Sequence, residues 1–350
     1  MRILNINYRE PKIIVTGFLL MSIFLVYFIG DFGTSSEEKA RKYFEKSQST
    51  KNIIERIELL SQAISYKPNY AEAYYNRANA YSENKEQDKA IADYSKAIEI
   101  KPDYLDAIYN RGLEFARSNQ LDKAIQDFSA VVIAAPDQTD ALYNLAKAYD
   151  INNQDDLAIE KYTELLKLSP QYETAYYNRG LAYLEKNMDL QALADFHQCI
   201  QLNPNNANAH FNQGIIYYKE KNETQALISF NKAVELNQQD AAFLLYRGIL
   251  FLNKGDLEPA IADFTNVTEL NPEAAGAYYL RGIAYMQKDD YTAAKNDFDK
   301  VIQIKPDFDK AYFARATAYE YTGNPANAQT DYQKASSLGN LEAKEILDNM

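Results

Sequence analysis

The chain has 350 residues, with 37 Lys and Arg against 49 Asp and Glu, for a formal charge of −12. An acidic balance with no long basic run repels phosphate, which argues against nucleic acid as a partner. A single cysteine, Cys199, excludes an internal disulfide framework.

From the N-terminus, residues 1–12 carry Arg2, Arg9 and Lys12 and read as a short cytoplasmic segment. Residues 13–30 form an uncharged run, IIVTGFLLMSIFLVYFIG. As a helix it would be about 27 Å long, at the lower end of what spans a hydrocarbon core of about 30 Å. Asp31, Glu37 and Glu38 follow, so the positive-inside bias predicts a single-pass transmembrane signal anchor. The N-terminus is then cytoplasmic, and everything after Gly30 lies on the far side (periplasmic in a bacterium). The competing reading is a cleaved signal peptide and a secreted or periplasmic chain. Its apolar region is usually shorter and ends at a small-x-small site, for which Gly33-Thr34-Ser35 is a poor candidate. Residues 31–36 read as a linker.

Beyond the linker the chain repeats itself. Pro68, Pro102, Pro136, Pro170, Pro204, Pro272 and Pro306 lie on one lattice of 34 residues, interrupted only by Gln238. Ala90, Ala124, Ala158, Ala192, Ala226, Ala260, Ala294 and Ala328 hold a second lattice, each followed four places on by Tyr or Phe. Internal self-similarity of this kind signals a repeat architecture. Starting the unit at Ala71, each repeat reads as two amphipathic helices. In the first, AEAYYNRANAYSEN is one helix and DKAIADYSKAIEI the other, and Asn84-Lys85 mark the turn. The proline stops the second helix by removing a donor and constraining the residue before it. Gly112, Gly180, Gly214, Gly248 and Gly282 hold the eighth place, with Ala elsewhere; the lattice alanine is expected to face them, so that a larger side chain at Ala192 overpacks the pair.

This pattern resembles the tetratricopeptide repeat. The likeness covers 71–342 as eight units: 71–104, 105–138, 139–172, 173–206, 207–240, 241–274, 275–308 and 309–342. A degenerate unit at 37–70 precedes them, with Arg56 where the alanine belongs, and 343–350 read as the end of a capping helix. Departures are the missing Trp at the fourth place and Gln238, whose junction is expected to be softer. The resemblance implies an all-α fold, an α-solenoid wound as a right-handed superhelix, preceded here by one transmembrane helix. It also implies a concave groove lined by the first helix of each unit.

Three ladders occupy that groove. Asn76, Asn110, Asn144, Asn178 and Asn212 fill the sixth place. Amide side chains offer donor and acceptor together and can clamp an extended peptide backbone, as in the similar asparagine ladder of O-linked N-acetylglucosamine transferases; helix packing is the simpler explanation. Beside them stand Tyr75, Tyr109, Tyr143 and Tyr177, rings that usually pack between repeats but can grip a ligand. At the ninth and twelfth places the later units turn apolar: Leu181/Leu184, Ile215/Tyr218, Ile249/Leu252 and Ile283/Met286. Such a strip marks a partner site if exposed, or mere packing if coiling buries it.

Other chemistries find little support. The subtype that clamps acidic C-termini of heat-shock chaperones uses Lys, Asn and Arg, whereas the matching places here hold Tyr75, Asn79, Asn110, Asp140 and Asn144. His197, Cys199 and His210 fall short of a zinc set, which takes four ligands. No phosphate-cradling glycine motif or nucleophile elbow occurs, so neither enzyme activity nor a cofactor or metal is expected. The chain is expected to be a membrane-anchored protein-interaction scaffold that binds a peptide or helix of a partner. Self-association as a homo-oligomer, or service as the regulatory arm of an enzyme on another chain, are the alternatives.

Overall fold

A computed structural model describes residues 35–349. Among them lie nineteen α-helices and no strand, an all-α fold of the helical-repeat solenoid type. The described residues up to Ser169 form one compact body and those from Pro170 another.

The N-terminal body holds four helix pairs. They are α1 (Ser36–Ser49) with α2 (Ile53–Tyr66), α3 (Ala71–Glu83) with α4 (Gln87–Ile100), α5 (Leu105–Arg117) with α6 (Leu121–Ala134), and α7 (Thr139–Ile151) with α8 (Asp155–Leu168). The C-terminal body holds five more. These are α9 (Glu173–Glu185) with α10 (Asp189–Leu202), α11 (Ala207–Lys219) with α12 (Glu223–Leu236), α13 (Ala241–Lys254) with α14 (Leu257–Leu270), α15 (Ala275–Gln287) with α16 (Tyr291–Ile304), and α17 (Asp309–Tyr321) with α18 (Pro325–Ser337). A short α19 (Leu341–Asp348) closes that body, burying Ala343 against α18.

The turn inside each pair follows one recipe. The fifteenth residue of every unit from 71 onward takes a left-handed φ: Lys85, Asn119, Asn153, Asn187, Lys221, Gly255, Asp289 and Gly323. Around Lys85, its N–H reaches Ser82 O (3.0 Å) and the Glu86 N–H reaches Tyr81 O (2.8 Å), the double bond of a Schellman C-cap. The pair at 37–70 breaks this rule. Thr50 is extended, and Asn52 instead caps α2 by accepting from Ile54 N and Glu55 N.

The second helices through α16 end two residues before the lattice site, and α18, with Asn340 at that site, ends at Ser337 before left-handed Gly339. At the Gln238 junction, α12 ends like its fellows, with the Asn237 N–H on Ala233 O. There the Asn237 carboxamide accepts from Gln239 N, and Asp240 caps α13 through Ala242 N and Phe243 N. The same Asn bond is present where the proline is kept, with Asn203 accepting from Asn205 N and Asn271 from Glu273 N. A cavity of about 580 Å³ lies beside Gln238, between α12 and α14.

The expected single-pass membrane placement is corrected. Among the described residues no helix is long and apolar enough to cross a membrane, since each is about 21 Å or shorter and has a polar face. The run at 13–30, on which the anchor and signal-peptide readings rested, lies outside the described residues.

Candidate functional site

The core of each pair decides what its first helix presents. In six of the eight units the seventh residue is Arg and the residue sixteen further on is Asp. The guanidinium donates twice to the carboxylate, as in Arg77–Asp93 (2.6 and 2.9 Å), Arg179–Asp195 (2.7 and 2.7 Å) and Arg281–Asp297 (2.8 and 2.7 Å). Several of these arginines also reach the preceding pair, Arg77 to Ser61, Arg111 to Ser95 and Arg315 to Asp299. Aromatic rings sandwich the guanidinium, Tyr74 and Tyr81 around Arg77 and Tyr176 and Tyr183 around Arg179. The hydrogen bond to Asp297 lifts the Arg281 guanidinium above its ordinary value, while burial raises the Asp297 carboxyl. Two units substitute for it. Buried Leu145 stands opposite Lys161, and Gln213 accepts from Ser229 (3.1 Å). This staple escaped the sequence reading, although the constant sixteen-residue spacing was there to find.

The eighth-place glycines answer to a ring rather than to the lattice alanine. A Cβ built on Gly180 would stand 2.8 Å from Phe196 Cε1, and one on Gly214 would stand 2.6 Å from Phe230. Every unit with glycine there has Phe at the twenty-fourth place, and every unit with alanine (Ala78, Ala146, Ala316) has Tyr (Tyr94, Tyr162, Tyr332). The ninth place follows suit. It is apolar over Phe (Leu113, Leu181, Ile215, Ile249, Ile283) and polar over Tyr (Asn79, Lys147, Thr317). In two of the three units the tyrosine hydroxyl explains the link, for Tyr94 donates to Asn79 Oδ1 at 2.6 Å, and the Tyr332 hydroxyl lies 3.4 Å from Thr317 Oγ1 and 2.9 Å from Glu320 Oε2. Burial raises both phenols, Tyr332 to about 12.

This reframes the apolar strip. Leu181, Leu184, Ile215, Tyr218, Ile249, Ile283 and Met286 are half-buried, and Leu252 is buried. They pack beside Phe196, Phe230, Phe264 and Phe298. Much of the strip is therefore the upper layer of the core, with a half-exposed outer edge.

The asparagine ladder is also partly engaged. Asn110 donates to the Tyr75 hydroxyl (3.2 Å), Asn144 to that of Tyr109 (2.8 Å) and Asn212 to that of Tyr177 (3.3 Å). Asn76 donates to Glu72 O in its own helix, and Asn178 is half-buried on α9. The tyrosine rings lie on the twenty-fourth-place ring of their own unit, Tyr75 on Tyr94, Tyr109 on Phe128, Tyr143 on Tyr162 and Tyr177 on Phe196, with centroids 5.8–6.2 Å apart. Burial raises the Tyr109 and Tyr177 phenols, keeping them neutral acceptors.

Besides the cavity at Gln238, two cavities open between successive first helices. In the N-terminal body a cavity of about 310 Å³ opens between α5 and α7, with Leu113, Ala116 and Ile151 beside Asn144, Lys147 and Arg117. In the C-terminal body one of about 400 Å³ opens between α15 and α17, lined by Tyr279, Ile283, Met286 and Phe313 with Lys310 and Glu342. Cys199 is buried and donates to Glu173 Oε1 (2.9 Å), and burial pushes its thiol up, away from reactivity. His210 Nε2 lies 3.1 Å from Pro204 O and His197 Nε2 3.0 Å from Gln201. No group of three or more His, Cys, Asp or Glu among the described residues could hold a metal ion.

Tandem helix pairs on a 34-residue period, stapled and offering first-helix faces, define a helical-repeat protein. Profiles of the tetratricopeptide repeat match residues 71–104, 109–173, 174–206, 207–240, 275–308 and 309–338. Together these take in more than half of the sequence, and the chain belongs to the tetratricopeptide-repeat family. It is similar to the crystal structure of YrrB, described as a TPR protein with an unusual peptide-binding site. The two are 29% identical, with 54% of this chain and 97% of that one covered and a TM-score of 0.50. The fold is shared with the C-terminal part of a TPR repeat-containing protein from Cytophaga hutchinsonii (19% identity, 68% and 96% covered, TM-score 0.57). It is shared too with a tetratricopeptide repeat protein from Parabacteroides merdae (23% identity, 70% and 97% covered, TM-score 0.50). A search of curated proteins gave no match.

Proposed function

We propose that the chain is a protein-interaction scaffold whose first-helix faces, over the units between 71 and 342, seat a peptide or helix of a partner protein. The observation that carries this reading is the pair of open cavities between successive first helices, at α5/α7 and α15/α17. Both combine apolar surface with a few polar groups, the usual makeup of a recognition cleft. The likeness to a peptide-binding TPR protein supports it. Of the three ladders, the tyrosines and the apolar strip serve mainly as the floor. Asn110 and Asn144 contribute through their amide carbonyls, since their N–H groups go to Tyr75 and Asn79 and to Tyr109 and Asp140 O; Asn212 gives one N–H to Tyr177.

Photo-crosslinking side chains placed at Lys147 and at Met286, with Leu190 (73% exposed, on α10) as the outer control, test the reading. Partner crosslinks are expected from the first two positions and not from the third. Crosslinks from Leu190 alone, or equally from all three, would refute it.

A further inference from the structure

The cavity between α5 and α7 differs from the rest of this acidic chain in sign. Arg117 and Lys147 line it, and no acidic residue does. Lys147 is exposed and has no ion-pair partner among the described residues. Arg117 is held in place from below. Its Nη1 donates to Glu114 Oε1 at 2.5 Å, and Ser82 Oγ donates to the same oxygen at 2.5 Å.

Glu114 is the odd residue. The tenth place of the other seven units holds Ala, Ile or Leu (Ala80, Ala148, Ala182, Ile216, Leu250, Ala284, Ala318). Its side chain is only 3% exposed. A buried carboxylate costs stability unless paired, so a fold needing only helix packing would have kept alanine there. What Glu114 accomplishes is to anchor the Arg117 guanidinium, whose side chain is 57% exposed.

Resting on the scaffold reading above, we infer that the α5/α7 cavity selects a partner segment in which a bulky apolar side chain is followed by a carboxylate. The apolar side chain lies against Leu113, Ala116 and Ile151, and the carboxylate meets Lys147 and the anchored Arg117. Charge complementarity fixes the sign. Because Glu114 neutralises Arg117, the cavity carries one net positive charge from Lys147, which suits a monoanionic carboxylate. The contact needs no free chain end. The C-terminal cavity, where Lys310 is accompanied by Glu342, carries no such bias.

The test measures retention of the full chain on 12-residue peptides, identical except for a central Leu-Glu, Leu-Gln, Leu-Lys or Ser-Glu pair. Leu-Glu peptides are expected to be favoured about tenfold over Leu-Lys, the scale of one partly exposed charge pair made attractive rather than repulsive. Lys147→Glu should reverse that order, Lys147→Gln should flatten it, and Lys310→Glu should leave it intact. Both lysines are exposed, so the fold tolerates these changes. Equal retention of acidic and basic peptides, or a preference that survives Lys147→Glu or vanishes with Lys310→Glu, would overturn the inference. If no peptide is retained while groove crosslinks form, this inference alone fails. If the groove crosslinks are missing as well, the scaffold reading fails with it.

Discussion

Substituting Gly180→Ala tests the coupling between the eighth, ninth and twenty-fourth places most directly. The new Cβ would sit 2.8 Å from Phe196 Cε1 and 3.1 Å from two further ring carbons, inside the ordinary 3.4–4 Å contact. Phe196 is fully buried beside Ala192 and Cys199, so the ring has little room to retreat. Overpacking of this kind costs about 1–3 kcal/mol, against a helix-propensity gain of about 1 kcal/mol for replacing glycine. The net expectation is a loss of up to about 2 kcal/mol. Phe196→Tyr alone should lose about 1–3 kcal/mol by pushing an unpartnered hydroxyl against Leu181. Combining both with Leu181→Asn copies the first unit, where Ala78, Asn79 and Tyr94 coexist. Asn212 then stands where Asn110 supports Asn79. The triple variant should recover most of the loss, with a coupling of about 1–2 kcal/mol. Urea unfolding followed by circular dichroism at 222 nm measures each variant, with Gly276→Ala, where nothing lies within 4 Å of the new Cβ, as a neutral or stabilising control. If Gly180→Ala proves as stable as wild type and the triple variant merely sums the single losses, the ring-over-glycine account is wrong.

Three further outcomes follow from the same geometry. Asp195→Ala strips the partner from Arg179, whose side chain is 15% exposed, and should destabilise by about 3 kcal/mol. Arg179→Leu with Asp195→Lys, the pair seen at Leu145 and Lys161, should restore most of that by the same unfolding assay. Lys221→Gly relieves a left-handed φ of 60° and should raise stability by about 0.5–1 kcal/mol, read as a higher melting temperature. Alkaline pH should unfold the chain. Because the folded phenols of Tyr104 and Tyr332 are raised to about 12, the unfolded state loses its protons first. Stability is then complete below the ordinary tyrosine value of 10 and is lost between pH 10 and about 12. Helicity at 222 nm should therefore fall between pH 10 and about 12, and helicity unchanged through pH 12 would contradict this.

Much of this molecule is legible in one dimension. Proline and alanine lattices locate the helices, because proline stops a helix anywhere beyond its first turn, which is where Pro259 and Pro325 stand, and a helix face repeats every three to four residues. The turns are legible too, since Asn, Gly and Asp at the fifteenth place announce a left-handed residue; Lys85 and Lys221 are the positions where composition misleads. The candidate site was harder. The ninth-place strip was visible as a run of Leu and Ile, but its cause was not, because periodicity says which residues share a face and not what they rest on. The membrane placement rested on the run at 13–30, and no helix among the described residues is long and apolar enough to cross a membrane.

The residues alone therefore determined the period, the helix pairs and the family, since all three follow from local geometry and spacing. Tertiary structure decided which side chains were already spent and which were free. A hydroxyl thirty-five residues away claims the asparagine donors, a ring from the second helix sets the eighth and ninth places, and Glu114 turns an exposed arginine into a held one. Those assignments depend on how closely neighbouring helices pack, a distance no single helix encodes.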